Sequence, residues 1–324
     1  MPKAIQIHET GGPEVMKYED VALRDPGEGE VVVRHTSIGL NYIDVYFRSG
    51  LYPAPQMPLI PGFEGAGVVE AVGSGVTSLK VGDRVAYTDP MGAYAQARIA
   101  PAARLVKIPE GVSDDQAASM MLKGMTARYL LRQTFPVKAG DTVLMHAAAG
   151  GVGLIVCQWA NALGCTVIGT AGSAEKAELA KAHGAHHVIN YREEDFVARV
   201  AEITDGRKCD VVYDGVGKDT FLKSLDCLRP RGMLATFGNA SGAPEPLNTL
   251  LLSQKGSLYV TRPTLFHHIA TRAELEESTN DLFDVVVSGK VKIEVNQRYA
   301  LADAAKAHAD LEGRRTTGAT VLIP

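Results

Sequence analysis

Hydrophobic and polar positions alternate with a period of two through the first third of the chain. The segments "KAIQIHE" (3–9), "GEGEVVVRHTSIGL" (27–40) and "VGDRVAYT" (81–88) show this alternation, and glycines separate them. Such alternation is typical of half-buried strands, and glycine supplies the turns between them. The pattern predicts a small, curled, mainly antiparallel sheet or barrel.

The pattern changes near Asp114. The segment "SDDQAASMMLKGMTARYLLRQ" (113–133) has apolar residues at helical spacing, and Ser113 is placed to cap this helix. Six short, nearly continuous apolar runs then alternate with helical patterns: "DTVLMHA", "TVIGTAG", "HHVINY", "CDVVYDGVG", "GMLATFG" and "SLYV". Apolar runs separated by helices indicate a parallel sheet covered on both faces. We predict an α/β fold with a doubly wound, six-stranded parallel sheet.

The C-terminal part does not continue this alternation. A long helix is predicted in "TRAELEESTNDLFDVVVSGKV" (271–291), and two strands, in 292–301 and 317–324, bracket another helix. We expect these elements to return to the first domain. The predicted domains are therefore residues 1–123 with 264–324, and residues 124–263.

The stretch "HAAAGGVGLIVCQWANALG" (146–164) joins the first parallel strand to its helix. It places Gly150 and Gly153 where the dinucleotide fingerprint G-x-G-x-x-G has its second and third glycines, whereas Ala148 replaces the first. This setting predicts a phosphate-binding turn at the start of a helix. The alternative is a tight strand-to-helix connection in which small residues only allow close packing.

The end of the second parallel strand indicates which dinucleotide is bound. NAD sites usually carry an acidic residue there, but Gly169 to Gly172 bring none. Ser173 is a candidate N-cap, and Lys176 lies in the first helical turn, where the helix dipole disfavours a cation unless an anion is near. With Tyr191 at the end of the third strand, these residues predict a 2′-phosphate and hence NADPH. The alternative for Lys176 is a solvated lysine beside Glu175 and Glu178.

Composition narrows the possible functions. The formal net charge of -4 disfavours a primary nucleic-acid partner. No apolar run reaches the roughly 18 residues that a membrane-spanning helix needs, and we expect a cytoplasmic protein. The four cysteines are widely spaced, without a C-x-x-C pair, and are expected to be small buried hydrophobic residues.

Several motifs together resemble the medium-chain dehydrogenase/reductase superfamily, and within it the NADPH-dependent quinone oxidoreductases related to zeta-crystallin. The resemblance runs over essentially the whole chain. It is carried by "GGPEV" (11–15), "GLNYIDVYFRSGLYP" (39–53), "PGFEGAGVVEAVGSGV" (61–76), "HAAAGGVGLI" (146–155), "VINYREED" (188–195) and "QKGSLYVTRP" (254–263). It implies a Rossmann domain joined to a GroES-like, mainly antiparallel β domain.

The chain departs from the zinc alcohol dehydrogenases at their metal ligands. Those enzymes carry Cys-x-x-Asp where this chain has Asn41 to Asp44, and Gly-His-Glu where it has Gly62-Phe63-Glu64. Near the third ligand position the chain offers Met121, Leu122 and Lys123. Because a catalytic zinc needs three N, S or O ligands, we predict no metal.

The resemblance also implies site residues. It places Asn41, Asp44, Tyr46, Tyr52 and Lys123 around the nicotinamide and the substrate. Tyr46 and Tyr52 are the catalytic candidates, as ring-stacking groups or proton donors, and the alternative is aromatic packing in a loop. Arg48 is expected to be a surface charge. Further cofactor contacts are implied at Thr126, Gly150, Gly151, Val152, Gly172, Ser173, Lys176, Tyr191, Val216, Phe237, Ser241, Val260, Arg262 and Arg314.

The predicted activity is metal-free reduction of a small quinone by NADPH. An already electrophilic acceptor does not need the Lewis acid that alcohol oxidation uses. One alternative is an NADPH-dependent reductase of enal or enone double bonds, and another is a non-catalytic NADPH-binding structural or RNA-binding protein. The last strand, "SLYV", is expected at a sheet edge, where the resemblance implies a homodimer.

Overall fold

A computed structural model describes all 324 residues of the chain. They divide into two compact units, each described here by itself. The first unit comprises Met1–Lys123, Ala270–Phe283 and Ile293–Pro324, and the second comprises Gly124–Ile269 and Asp284–Lys292. None of the helices combines the length and the apolar character that crossing a membrane requires.

The chain forms fifteen strands and ten α-helices. The strands are β1 Lys3–Ile7, β2 Met16–Asp20, β3 Glu30–Leu40, β4 Glu64–Val72, β5 Arg84–Tyr87, β6 Ala97–Pro101, β7 Val106–Lys107, β8 Thr142–Met145, β9 Thr166–Ala171, β10 His187–Asn190, β11 Cys209–Asp214, β12 Leu228–Thr236, β13 Tyr259–Thr261, β14 Val295–Ala300 and β15 Ala319–Ile323. The helices are α1 Tyr42–Ser49, α2 Asp114–Tyr129, α3 Gly151–Ala162, α4 Ala174–Ala182, α5 Phe196–Ile203, α6 Phe221–Ser224, α7 Leu250–Gln254, α8 Leu265–His268, α9 Arg272–Val287 and α10 Ala304–Glu312.

The second unit is built on a six-stranded sheet in the order β10-β9-β8-β11-β12-β13. All neighbouring strands in it are parallel. All residues of β8 and β11 are buried, as expected for strands covered on both faces. The order reverses direction at β8, which is the arrangement of a doubly wound dinucleotide fold. The predicted fold of this part is confirmed, and β13 lies at the sheet edge.

The first unit contains a seven-stranded sheet in the order β14-β15-β3-β4-β5-β7, with β6 paired to β3. Its pairs are antiparallel except β14 with β15. Strand β15 pairs with β3 through Leu322 and Ile38, so the C-terminal strands complete the sheet that the first third of the chain begins. The predicted mainly antiparallel β domain is confirmed.

Local side chains decide where several helices begin. Ser113 and Gln116 cap α2 reciprocally, and Ser173 caps α4, as predicted. The acidic stretch before α5 is not helical, because Asp195 accepts hydrogen bonds from the backbone of Val197 and Ala198 and so becomes the N-cap. The helix therefore begins at Phe196.

A histidine lies inside the antiparallel sheet of the first unit. The buried His35 donates from Nδ1 to the carbonyl oxygen of Ala95 and accepts at Nε2 from the hydroxyl of Tyr87, both at 2.6 Å. These partners fix the neutral tautomer, since a carbonyl only accepts. Burial lowers the pKa of His35 to about 3, so the folded chain excludes a proton that the unfolded chain binds below about pH 6.5.

This difference in protonation makes stability pH-dependent. As the pH falls below about 6, His35 lowers the free energy of unfolding by up to about 1.4 kcal/mol for each pH unit. This loss continues until the pH reaches the pKa of His35 in the folded chain. We expect His35→Gln to remove this component from the pH slope measured by urea unfolding. The exposed His8 is the control, and His8→Gln should keep the wild-type slope. An unchanged slope in His35→Gln would contradict the assignment.

Candidate active site

The glycine-rich turn of the second unit joins β8 to α3. Gly150 is the N-cap of α3, and no side chain caps the helix there. A Cβ on Gly153 would lie 2.4 Å from the carbonyl oxygen of Ala147, so only glycine allows the helix to start this close to the strand. A Cβ on Gly150 would meet only that same oxygen, at 3.2 Å, which leaves the other side of the turn open. An uncapped helix N-terminus with an open glycine face is chemically suited to a phosphate, and it is built from Gly150, Gly151 and Val152.

A second part of the site lies where β9 and β10 end, since Ala171 and Asn190 are paired across these strands. Ser173 accepts a hydrogen bond from the backbone of Lys176 at 3.3 Å. A Cβ on Gly172 would lie 2.6 Å from the hydroxyl of Tyr191. The structure therefore brings these four predicted residues into one corner that contains no acidic residue at the strand end.

Arg192 also lies at this corner and was missed by the sequence analysis. Its Nε is 3.5 Å from the position of a Cβ on Gly172. An arginine next to Tyr191 was the available signal in the sequence. It adds a second cation beside Lys176 to the corner, which fits a phosphate group.

The loops after β11 and β12 hold further predicted residues. Asp214, the last residue of β11, accepts a hydrogen bond from the backbone of Val216 at 2.8 Å. Ser241 donates from its hydroxyl to the carbonyl oxygen of Val216 at 2.9 Å, and the backbone N–H of Phe237 donates to the carbonyl oxygen of Asp214 at 2.8 Å. The hydrogen bonds bring Val216, Phe237 and Ser241 together at the carboxyl ends of the strands, where ligands bind in this kind of sheet.

The remaining predicted residues of the second unit lie near β13 and α2. Val260 is within β13 and pairs with Leu234 of β12. Arg262 follows β13 and donates to the carbonyl oxygen of Gly238 at 3.1 Å. Thr126, on α2, is hydrogen-bonded to Tyr129, and Arg262 acts electrostatically on that tyrosine. Thr126 and Arg262 therefore belong to one polar neighbourhood.

Three buried polar residues of the first unit, Asn41, Glu64 and Lys123, form what we call the Glu64 cluster. Glu64 Oε1 accepts hydrogen bonds from Lys123 Nζ at 2.5 Å and from Asn41 Nδ2 at 2.8 Å. Glu64 Oε2 accepts from the backbone N–H of Leu122 at 2.8 Å. Glu64 is completely buried and the side chain of Lys123 is 8% exposed. Sequence analysis selected Asn41 and Lys123 but did not assign a role to Glu64, which is an isolated acid in the apolar segment "GFEGAGVV" and stands at the glutamate of the Gly-His-Glu motif.

Asp44 lies next to this cluster but lacks a hydrogen-bonded cation. Its Oδ2 accepts from the backbone N–H of Asn41 at 2.9 Å and from the hydroxyl of Tyr94 at 3.0 Å, whereas its buried Oδ1 has no hydrogen-bond partner. Burial raises the pKa of Asp44 to about 7 in spite of these donors, and the nearby Glu64 carboxylate adds to the rise.

A chain of donors leads to Asp44 from the other side, and it corrects the expectation for Arg48. Arg48 is 1% exposed rather than a surface charge. It donates to His308 Nδ1 at 3.1 Å and forms an ion pair with Glu312 at 2.9 Å. His308 then donates from Nε2 to the hydroxyl of Tyr94 at 3.0 Å. Burial lowers the pKa of His308 to about 3, so this histidine is neutral and its tautomer is fixed by Arg48.

The two candidate catalytic tyrosines pack against each other. Tyr46 lies on α1 and not in a loop, and its ring centroid is 5.1 Å from that of Tyr52. The backbone N–H of Tyr52 donates to the carbonyl oxygen of Tyr46 at 3.0 Å. Phe63, at the position of a zinc-ligating histidine, packs on Phe47 with centroids 5.5 Å apart.

Arg314 lies in the first unit after α10, exposed and with a positive φ of 57°.

The donor set of the Glu64 cluster does not fit zinc. An ammonium group has no lone pair for a metal, and the phenyl ring of Phe63 offers no ligand atom. The carboxylate of Glu64 is already taken by Lys123, Asn41 and Leu122. No group of three or more His, Cys, Asp or Glu residues in the structure is arranged to hold a metal ion.

Comparison with known proteins places this architecture in a family. Residues 151–287 match the family described as zinc-binding dehydrogenase, and residues 27–110 match the alcohol dehydrogenase GroES-like domain. A quinone oxidoreductase of Pseudomonas aeruginosa is 57% identical over 325 residues, covering 100% of both chains. A 2-haloacrylate reductase of Burkholderia sp. is 49% identical, covering 100% of this chain and 99% of the relative.

A solved structure agrees with these relatives. The quinone oxidoreductase of Escherichia coli, crystallised in complex with NADPH, superimposes with a TM-score of 0.97 at 51% identity, covering 99% of this chain and 100% of that chain. The chain belongs to the quinone oxidoreductase family of the medium-chain dehydrogenase/reductase superfamily.

Proposed function

We propose that the protein reduces small quinones with NADPH and without a metal. The observation that carries this proposal is that one chain combines an uncapped, glycine-rich helix start with a buried polar cluster in which the ammonium group of Lys123 is bonded to Glu64. The full-length identity to quinone oxidoreductases supports it. NADPH supplies the two electrons and the hydrogen as a hydride.

The second unit is proposed to hold the cofactor. Gly150, Gly151 and Val152 would bind the pyrophosphate through backbone N–H groups at the start of α3. Gly172, Ser173, Lys176 and Tyr191 would bind the 2′-phosphate. The loop residues Val216, Phe237 and Ser241 would line the path of the cofactor, together with Thr126, Val260 and Arg262.

The first unit is proposed to handle the acceptor. Tyr46 and Tyr52 present aromatic rings that match a planar quinone, and each carries a hydroxyl that can donate a proton. Asn41, Asp44 and Lys123 fix the polar groups near the reacting ring, and Arg314 adds a cofactor contact from the C-terminal segment. We propose that residues 1–123 with 264–324 act as the catalytic domain and 124–263 as the dinucleotide-binding domain.

A second candidate activity is the reduction of an activated carbon–carbon double bond. The 49% identity to a 2-haloacrylate reductase favours it, since that relative is named for a conjugated acceptor. Both activities add a hydride to an electrophilic carbon and leave negative charge on a conjugated oxygen. The same residues therefore serve either acceptor.

We also propose a homodimer, formed through the edge strand β13, in a reducing compartment such as the cytoplasm. Strand β13 ends the six-stranded sheet, and Tyr259 on it is 58% exposed. All four cysteines are free and buried, which agrees with a reducing environment. The net charge of -4 supports no nucleic acid as a primary partner. The mass in solution by light scattering tests the dimer.

A panel of acceptors tests the activity. Protein dialysed against a chelator, and shown by metal analysis to lack zinc, should oxidise NADPH with 1,4-benzoquinone and more slowly with simple enones. Retained turnover without zinc is expected because the acceptor is already electrophilic. One zinc per chain, or activity that returns only with zinc, would overturn the metal-free proposal. Tight NADPH binding without turnover of any acceptor would favour a non-catalytic role.

Reversing the charge of Lys176 tests the 2′-phosphate corner. We expect Lys176→Glu to weaken NADPH binding by about 10- to 100-fold, because a charged hydrogen bond of about 1.5–3 kcal/mol is lost, and to leave NADH binding nearly unchanged. Fluorescence titration measures both. Lys181→Glu, in the last turn of the same helix, is the control and should leave both affinities within about twofold of the wild type. Equal losses for the two cofactors in Lys176→Glu would contradict the assignment.

Removing single hydroxyls tests the tyrosines. A general acid contributes roughly 10²- to 10⁴-fold to a rate, so at least one of Tyr46→Phe and Tyr52→Phe should lower kcat about tenfold or more while NADPH binding is retained. Stopped-flow oxidation of NADPH by benzoquinone measures the step. Wild-type rates in both variants would exclude a tyrosine hydroxyl as the proton donor.

A further inference from the structure

Lys123 is a buried cation whose hydrogen-bonding capacity is only partly used. An ammonium group carries three N–H donors. The structure gives Lys123 Nζ one hydrogen bond, to Glu64 Oε1 at 2.5 Å. The side chain is 8% exposed, so the ammonium group is largely removed from water without being sealed. Two donors are therefore available to a molecule that reaches it.

Glu64 holds this ammonium group in place. Both carboxylate oxygens are occupied by neighbours in the first unit, Oε1 by Asn41 and Lys123 and Oε2 by the backbone N–H of Leu122. A carboxylate bonded on both oxygens cannot rotate away from its partner. Because Glu64 is completely buried, the attraction between the two charges acts in a medium of low dielectric and is stronger than at a surface.

The resemblance to the zinc dehydrogenases implies that this cluster stands in place of their metal ligands. It matches Asn41 to the ligating cysteine, places Glu64 after the ligating histidine, and places Lys123 near the third ligand in sequence. The structure brings Asn41 and Lys123 to the carboxylate of Glu64. Lys123 therefore supplies a positive charge at a place where the side chains present do not fit a metal ion.

We propose that Lys123 is a catalytic electrophile: its ammonium group binds the acceptor oxygen and stabilises the negative charge that this oxygen gains. The inference rests on the proposed quinone reduction. As a hydride from NADPH adds to a ring carbon conjugated to a carbonyl of the quinone, the C=C π electrons shift toward the carbonyl carbon, the carbonyl π pair moves onto oxygen, and NADPH becomes NADP⁺. Lys123 donates a hydrogen bond and keeps its proton. A donor or solvent then protonates this oxygen, and tautomerisation, in which the ring carbon that received the hydride loses a proton and the second carbonyl oxygen gains one, gives the hydroquinone.

A fixed ammonium group suits a reductase of electrophilic acceptors. Preorganised donors aimed at developing charge are the largest contribution to many enzymatic rates, and removing one costs about 10²- to 10³-fold. An ammonium group is a weaker electrophile than a zinc ion. It is sufficient for a quinone or a conjugated carbonyl, because these acceptors are already electrophilic. Asp44 is less suited to this role than Lys123, because it carries no positive charge and its ionised form repels an anionic oxygen.

The test uses 4-nitrophenol as an unreactive mimic of the anionic acceptor. Its neutral and ionised forms absorb at different wavelengths, so the pKa of the bound phenol is read directly in the complex with NADP⁺. In the wild-type protein we expect nitrophenolate to bind at least about tenfold more tightly than nitrophenol, which corresponds to a bound pKa lowered by at least about one unit.

Four variants locate the effect. Lys123→Met should abolish the preference for the phenolate, and Lys123→Arg should keep part of it. Lys107→Met removes another lysine–carboxylate pair of the same unit, with Asp83 at 2.9 Å, and should behave as the wild type. Because Lys123→Met leaves Glu64 without its cation, the double variant Lys123→Met with Glu64→Gln is included to preserve folding, and it should also lose the preference.

The results separate this inference from the proposed activity. A phenolate preference that persists in Lys123→Met or in the double variant would overturn the role of Lys123 even if the wild type reduces quinones. A wild type that binds phenolate through Lys123 but turns over no quinone would overturn the proposed activity alone. With both intact, kcat for benzoquinone in the double variant should fall about 100-fold or more, with NADPH affinity within about twofold of the wild type.

Discussion

The hydrogen-bonded ion pair between Lys123 and Glu64 organises the chemistry of the first unit. Burying either charge alone would be strongly unfavourable, whereas the pair with Asn41 and the Leu122 backbone satisfies the carboxylate on both oxygens. The hydrogen bonds that stabilise Glu64 also fix the direction of the two remaining N–H donors of Lys123. In the proposed role of Lys123, its ammonium group supplies a single positive charge to the acceptor, where zinc dehydrogenases use a divalent cation.

The two buried carboxylates of the first unit, Glu64 and Asp44, have different hydrogen-bond partners. Glu64 has an ammonium group within hydrogen-bonding distance, but Asp44 has only a backbone N–H and the hydroxyl of Tyr94. Burial therefore raises the pKa of Asp44 to about 7. The donor chain through His308 and Arg48 reaches Asp44 from the C-terminal segment, so the N-terminal turn of α1 depends on residues more than 260 positions away.

Much of the fold could be predicted because its signals are local. Apolar runs identified the six parallel strands, and single side chains at Ser113 and Ser173 marked helix starts. The glycine-rich turn was visible because Gly153 has a steric reason to be glycine within a few residues of Ala147. The start of α5 is also set locally, because the side chain of Asp195 accepts hydrogen bonds from the backbone N–H groups of the first turn.

The chemistry of the first unit was less predictable because its partners are distant in sequence. Arg48 looks like a surface residue until His308 and Glu312 pack on it. Glu64 depends on residues 41 and 123, which periodicity cannot bring together. A crystal structure with NADP⁺ and a bound phenolate or hydroquinone tests the central claim most directly. The account predicts the ligand oxygen about 2.7–3.2 Å from Lys123 Nζ. A ligand oxygen held only by other groups, with Lys123 still bonded to Glu64 alone, would contradict it.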